Sequence, residues 1–346
     1  MPRTAHPFSI FLATILLLSI NCAAAYPVTI TDYYGNVTID EQPQRIVSLM
    51  PSNTEILFAV GAGGQVVGVT DYCNYPQEVV SVENIGGYVT LNTEKIVDLQ
   101  PDLVLAYDAN GDEIISTLKR LGLKVVTLDA KNVEDIIENI ELVGVITGNE
   151  DQANLVTSDM NQRLAKISDA TRSISADERP RVLFIVSFEP MYAAGAGSFP
   201  EDLINIAGGS NIVTASRWPV ITLEEVLDKN PQIIFCTGMG ERGIKFRDQI
   251  LSNSVLSATD AVRDQKVYPL FEPNLVERPG PRVIMGLEEL HSHISPELHT
   301  EGAYPEDGTS DSPMEGNEGT SPATPGFGVL FSVLLVSFSA YLMRRN

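Results

Sequence analysis

The sequence predicts an α/β protein of two Rossmann-like lobes, each built on a central parallel sheet, joined by a single long α-helix. Three observations predict it. The stretch from Glu94 to Leu105 recurs about 130 positions later as Glu224 to Phe235, and each copy reads as an amphipathic turn of helix, a proline stop (Pro101, Pro231) and a buried strand. Short runs rich in Val, Ile and Leu alternate with helical stretches in both halves, the pattern of parallel strands covered on both faces. Between the halves, residues 151–173 contain neither proline nor glycine and repeat apolar residues at helical spacing.

Residues 1–25 hold Arg3, the apolar run Phe8 to Ile20 and the small residues Ala23-Ala24-Ala25, the layout of a cleaved secretory signal. Asn21 stands where a lipid-attachment motif before Cys22 would need a small residue. Residues 26–43 form an N-terminal hairpin, because Val28 to Ile39 alternates around Tyr34-Gly35-Asn36, with Gly35-Asn36 expected as the turn. Asn36-Val37-Thr38 is also a glycosylation sequon. Residues 44–149 make the first lobe, with strands at Arg45 to Leu49, Val66 to Val69, Leu103 to Ala106 and Val125 to Leu128. Gly61-Ala62-Gly63-Gly64 follows a helix rather than a strand, so it reads as a helix stop and not as a phosphate loop. The linking helix takes residues 150–174, with Leu155, Val156, Met160, Leu164 and Ile167 on its apolar face. Residues 175–295 make the second lobe, with strands at Val182 to Val186, Ile233 to Cys236 and Val267 to Leu270.

Residues 296–325 are Ser, Thr, Pro, Gly and acidic residues with few large apolar side chains, a composition that cannot bury enough surface to offset its ordering entropy. Residues 326–346 follow as an apolar run, Gly326 to Met343, closed by Arg344-Arg345, long enough to cross a hydrocarbon core with the arginines on the cytoplasmic side. The expected location is therefore the outer face of the cytoplasmic membrane, with the lobes held there by a C-terminal anchor.

The formal net charge of −22, from 45 acidic against 23 basic residues, excludes a phosphate-neutralising surface and with it nucleic acid as a partner. Of three cysteines only Cys73 and Cys236 follow the signal, too few and too far apart for a disulfide framework; Cys236, within Ile233 to Cys236, reads as core. No phosphate loop, nucleophile elbow or metal-ligand pair is present, so no enzyme and no resident cofactor are expected. His291, His293 and His299 lie beyond the last strand and His6 lies in the signal, which leaves a zinc or manganese binder without ligands at the strand ends.

Arg45 to Ala59, Val67 to Pro76, Leu91 to Asp102, Gly208-Gly209-Ser210-Asn211-Ile212 and Glu277-Arg278-Pro279-Gly280-Pro281-Arg282 together resemble the cobalamin-binding proteins of ABC importers. These belong to the helical-backbone class of solute-binding proteins, and the resemblance covers about residues 44 to 294. Pro325-Gly326-Phe327, with acidic residues before and Arg-Arg after, separately resembles the archaeal C-terminal sorting signal that is exchanged for a lipid. The family resemblance implies capture of cobalamin between the lobes and delivery to the permease and ATPase subunits of an importer, while a rigid helix spanning both lobes is expected to limit them to small rocking. A corrin offers a broad apolar face, so aromatic residues on loops after the strands are the candidate contacts: Tyr72, Tyr75 and Tyr88 from the first lobe, Phe188, Tyr192 and Trp218 from the second. The resemblance also implies one docking glutamate per lobe, at Glu94 and Glu277, and it fails at Leu275, where the family has a tryptophan. A ferric siderophore met by Arg217 and Arg242, or haem bound through a tyrosine, stays open as the cargo, and a structural surface protein as a different class.

Overall fold

Parallel strands can be joined only by crossovers, and the chain supplies them twice, in residues 26–237, 243–270 and 272–298, which a computed structural model describes. The segments read as secretory signal and C-terminal anchor, and the acidic linker after Leu298, lie outside the described residues. Among those described, no helix is long and apolar enough to cross a membrane.

The hairpin comes first, β1 (Val28–Asp32) against β2 (Gly35–Ile39), with Asp32 opposite Gly35. Its turn is therefore Tyr33-Tyr34, not the expected Gly35-Asn36. The reason lies in Asp32: its Oδ1 accepts from the Tyr34 amide at 2.9 Å, closing an Asx-type turn, and Gly35 takes the exit at a φ of 125°. The other oxygen of Asp32 accepts from the Thr127 amide at 2.9 Å and so fastens the hairpin to the first lobe. Asn36 of the sequon is exposed.

The first lobe runs β3 (Ile46–Ser48), α1 (Pro51–Ala59), β4 (Val66–Val69), β5 (Glu83–Asn84), β6 (Gly86–Gly87), β7 (Thr90–Leu91), α2 (Thr93–Asp98), β8 (Leu103–Tyr107), α3 (Asp112–Arg120), β9 (Val125–Leu128) and α4 (Val133–Thr147). Its sheet has the order β5-β4-β3-β8-β9, parallel throughout. After the linking helix α5 (Glu150–Thr171) the second lobe runs β10 (Arg181–Phe188), β11 (Met191–Ala193), α6 (Phe199–Ile206), β12 (Ser210–Asn211), α7 (Leu223–Lys229), β13 (Ile233–Cys236), α8 (Gly243–Ser252), α9 (Asp260–Arg263), β14 (Val267–Pro269), α10 (Asn274–Glu277) and α11 (Val283–Ile294). Here the order is β11-β10-β13-β14 with β12 also on β10, and only β11 is antiparallel. All seven strands read from the sequence form within two residues of their expected ends.

The repeat extends to individual hydrogen bonds. Asn92 caps α2 by accepting from the Lys95 amide at 3.0 Å, and Thr222, 130 positions on, caps α7 by accepting from the Glu225 amide at 3.2 Å. Gln100 and Asn230 then turn left-handed, at φ 47° and 45°, directly before the two prolines. An arginine at the start of each inner strand holds the helix end: Arg45 donates to Leu99 O at 2.6 and 3.0 Å, and Arg181 to Asn230 O at 2.9 Å.

Helix α5 has 22 residues and so is about 33 Å long. It lies along α4, where a Cβ on Gly144 would collide with the Ala153 side chain. It reaches the second lobe at α11, where Arg163 donates to Glu288 through Nε (2.8 Å) and Nη2 (2.6 Å). One apolar cluster runs from Ile30 to Ile294 through both lobes. Arg163→Ala strands the buried Glu288 carboxylate and is expected to cost roughly 3 kcal/mol in urea unfolding. Arg163→Met with Glu288→Leu should recover most of that loss.

Candidate functional site

In open α/β sheets, ligands bind in the crevice outside the carboxyl ends of the strands, so the loops that follow the strands of both sheets make up the candidate site. On the first lobe two buried amides shape the rim. Asn53 Nδ2 donates to Leu105 O (3.2 Å) and Ala106 O (2.9 Å) at the end of β8, and Asn110 Nδ2 donates to Leu49 O (3.2 Å) and Tyr88 O (2.8 Å). The second of these ties the β6–β7 loop to the turn after β8. Tyr88 meets Tyr72 edge to face, ring centroids 5.7 Å apart. Burial, and then the neighbouring Tyr72, push the Tyr88 phenol above its ordinary value.

On the second lobe a crossed pair of extended segments carries the aromatic residues. The Ala193 amide donates to Pro219 O (3.1 Å), Gly195 to Arg217 O (2.7 Å) and Arg217 back to Ala196 O (2.9 Å). Only a glycine fits at 195, since a Cβ there would strike Ala215 O. Trp218 is thereby held half-buried against the shared core. Phe188, at the end of β10, packs on the separate apolar cluster of the second lobe, and Tyr192 on β11 is half-buried.

The two rims feel each other. Asp108, in the turn after β8, is buried, and its carboxyl is pushed up to about 6 by that burial and by Asp129, with the Arg217 guanidinium of the other lobe pulling the opposite way. Asp108 of the first lobe thus lies within electrostatic reach of Arg217, the residue before Trp218.

Farther along the same seam the lobes are bolted together. Glu55 of α1, its side chain 2 % exposed, accepts from Arg278 Nη1 (3.0 Å), Arg282 Nε (2.8 Å) and Arg282 Nη2 (2.8 Å). Arg282 also donates to Glu272 at 2.8 Å and lies 3.8 Å over the ring of Tyr75. One face of Tyr75 is therefore covered by a guanidinium, unlike the open stacking surface the sequence suggests for it. Leu275 is buried in α10 and offers no stacking surface either. Arg242 lies outside the described residues.

The repeat also exposes a residue that the sequence reading passed over. Tyr88 precedes Glu94 by six positions, and Trp218 precedes Glu224 by the same six, each glutamate standing exposed in the first turn of the repeated helix, α2 or α7. The signal was already in the alignment of the two copies. Glu277, by contrast, is half-buried at the end of α10 beside the clamp arginine Arg278.

Candidate metal ligands do not gather here. His291 is buried with Nδ1 3.1 Å from Ala207 O, His293 stacks on Tyr268 at 4.0 Å, and among the described residues no three His, Cys, Asp or Glu side chains are grouped to hold an ion. Burial pushes the Cys236 thiol up to about 12, as befits a core cysteine. A hollow of about 700 Å³ lined by Arg45, Phe58, Val66 and Leu99 opens at the amino ends of the first-lobe strands, the edge opposite the cleft.

A family model described as periplasmic binding protein matches residues 46–272. An ABC transporter substrate-binding lipoprotein of Bacillus subtilis, YvrC, is 37% identical over 80% of this chain and 88% of its own length. The crystal structure of the vitamin B12-binding protein BtuF of Vibrio cholerae superposes with a TM-score of 0.65 at 28% identity, covering 73% of this chain and 96% of that one. A periplasmic heme-binding protein of Pseudomonas aeruginosa does so with a TM-score of 0.66 at 26% identity, covering 73% and 93%.

The raised Asp108 carboxyl fixes the sign of a pH effect. A folded-state value of about 6, against an ordinary 3.8, means that the group's contribution is intact below about pH 4 and is lost as pH rises through 6. Asp108→Asn is therefore expected to match the parent protein at pH 4 and to melt about 2–5 °C higher at pH 7.5, read by thermal unfolding across that range.

Proposed function

The chain belongs to the periplasmic binding protein family, the solute-binding proteins of ABC importers, and from that premise we propose that it captures a corrinoid, cobalamin first, between its lobes. It then hands the cargo to the permease and ATPase subunits of an importer. The choice of cargo rests on the pair Tyr88 and Trp218, half-buried aromatic residues at equivalent places in the two copies of the repeat. Such a pair suits a flat macrocycle that brings its own axial ligands. Haem iron would ask the protein for an imidazole or a phenolate. The described histidines are packed within α11, and burial holds the Tyr88 phenol on the protonated side. The similarity to vitamin B12-binding proteins supports the same choice. A ferric siderophore or haem is the second reading, favoured by Arg217, whose charge reaches the cleft, and by the similarity to heme-binding proteins. The N-terminal signal and C-terminal anchor would keep the lobes at the outer membrane face.

For docking, the carboxylates proposed are Glu94 and its repeat mate Glu224, with Glu277 as the third candidate. Exposed charges spaced on both lobes set orientation and capture rate more than affinity.

Purified protein titrated with cyanocobalamin, haemin and ferric siderophores should show quenching of Trp218, the single tryptophan, by cyanocobalamin at the lowest concentration. Tighter binding of haemin or a siderophore overturns the corrinoid reading. Glu94→Ala with Glu224→Ala should reduce importer-dependent uptake at least tenfold while changing the Kd less than about twofold. If Glu277→Ala has the larger effect on uptake, the docking pair is the one first read from the sequence.

A further inference from the structure

The clamp between the lobes does more than neutralise one carboxylate. Arg278 Nη1, besides meeting Glu55, donates to Asn74 Oδ1 at 2.9 Å, and Arg278 Nη2 donates to Tyr72 O at 3.1 Å. Arg282, bound to the same Glu55, covers Tyr75. All of these touches fall in residues 72–75 of the first lobe, and all come from the second.

We propose that Arg278, held by Glu55, is the positioning residue of this loop: an arginine of one lobe that sets the backbone of Tyr72, and with it the edge-to-face contact of Tyr72 and Tyr88, in the other. The inference rests on reading that loop as ligand-facing. Asn74 and Tyr75 are exposed, so burial alone does not hold them. A guanidinium presents five N–H groups in a rigid plane and can meet a carboxylate, an amide oxygen and a carbonyl at once; an ammonium cannot copy that geometry. Glu55 in turn is held by its burial in α1 and by both arginines, so the position of Arg278 is set before any ligand arrives. The half-site of the first lobe is thus completed by the second, and a change in how the lobes sit is felt directly at Tyr72.

Cys73 lies inside this loop, half-buried, its Sγ 3.2 Å from Thr54 Oγ1 and 3.3 Å from Thr70 Oγ1, and is a built-in reporter; Cys236 is fully buried and serves as the slow reference. The test is peptide-resolved maleimide labelling of the full chain without ligand. Arg278→Ala should label at Cys73 about tenfold faster than the parent, as loss of charge-assisted hydrogen bonds to the loop implies. Asn74→Ala, which leaves the buried charges paired and serves if the arginine variant does not fold, should give a rise of about threefold. Arg163→Ala, which breaks the ion pair of α5 with α11 without touching the loop, should leave Cys73 labelling unchanged. With cyanocobalamin as the probe, Arg278→Ala should weaken binding about tenfold or more, and Arg163→Ala should not. A folded Arg278→Ala or Asn74→Ala that labels at the parent rate overturns the proposal, as does an equal rise in Arg163→Ala. If labelling responds as expected while the parent protein binds no cyanocobalamin, the positioning role stands and the corrinoid reading falls.

Discussion

A carboxylate withdrawn from water must be matched by positive charge and hydrogen bonds, or it takes up a proton or destabilises the fold. Glu55 is in that position, and what it needs is carried some 220 residues later, on Arg278 and Arg282. The requirement acts on the whole molecule. Swinging the second lobe away would leave Glu55 bare in α1 and two guanidiniums, each 12 % exposed, without their shared partner. Geometry sharpens this, because Arg282 bonds both Glu55 oxygens while also reaching Glu272 and lying on Tyr75. The closed seam is thus a discrete arrangement rather than one point on a continuum of openings.

The linking helix imposes the same limit from the other side. It is packed on α4 through the Gly144–Ala153 contact and on α11 through Arg163 and Glu288, and the core beneath it is continuous from one lobe to the other. A hinge needs a few residues that absorb large dihedral changes. The connection offers instead 22 residues of helix braced at both ends. The connection is thus built for small rocking rather than for wide hinge closure.

How much of this could be read from the sequence follows from the range of the interactions. The strands, the linking helix and the repeat rest on local patterns, apolar periodicity and proline stops, and these were legible almost to the residue. The hairpin turn was misplaced by two residues, because the Asx bond of Asp32 outweighed the turn preference of Gly35-Asn36. The exposed place of Glu94 in the first turn of α2 is legible through its motif, and the repeat gives Glu224 the same place in α7. The clamp could not be seen, since nothing near Glu55 in the chain marks it as buried and its partners are distant in sequence. Tyr75 reads from sequence as a loop aromatic; only the arrival of Arg282 in space covers its face.

The duplicated plan explains a remaining asymmetry. Caps, left-handed exits and strand-start arginines recur in both lobes because each solves the same backbone problem, closing a helix before a proline and starting the next strand. The loops after the strands are under no such backbone constraint, and in sequence they differ: tyrosine at 88 against tryptophan at 218, and an acidic Asp108 where the repeat offset gives Gly238. Two matched halves would grip a ligand equally well in either of two orientations. An unequal pair of aromatic rims, with a buried carboxyl on one and the Arg217 guanidinium on the other, removes that degeneracy. Unlike loops on a repeated scaffold therefore distinguish one orientation of a ligand from the other, which two matched halves could not do.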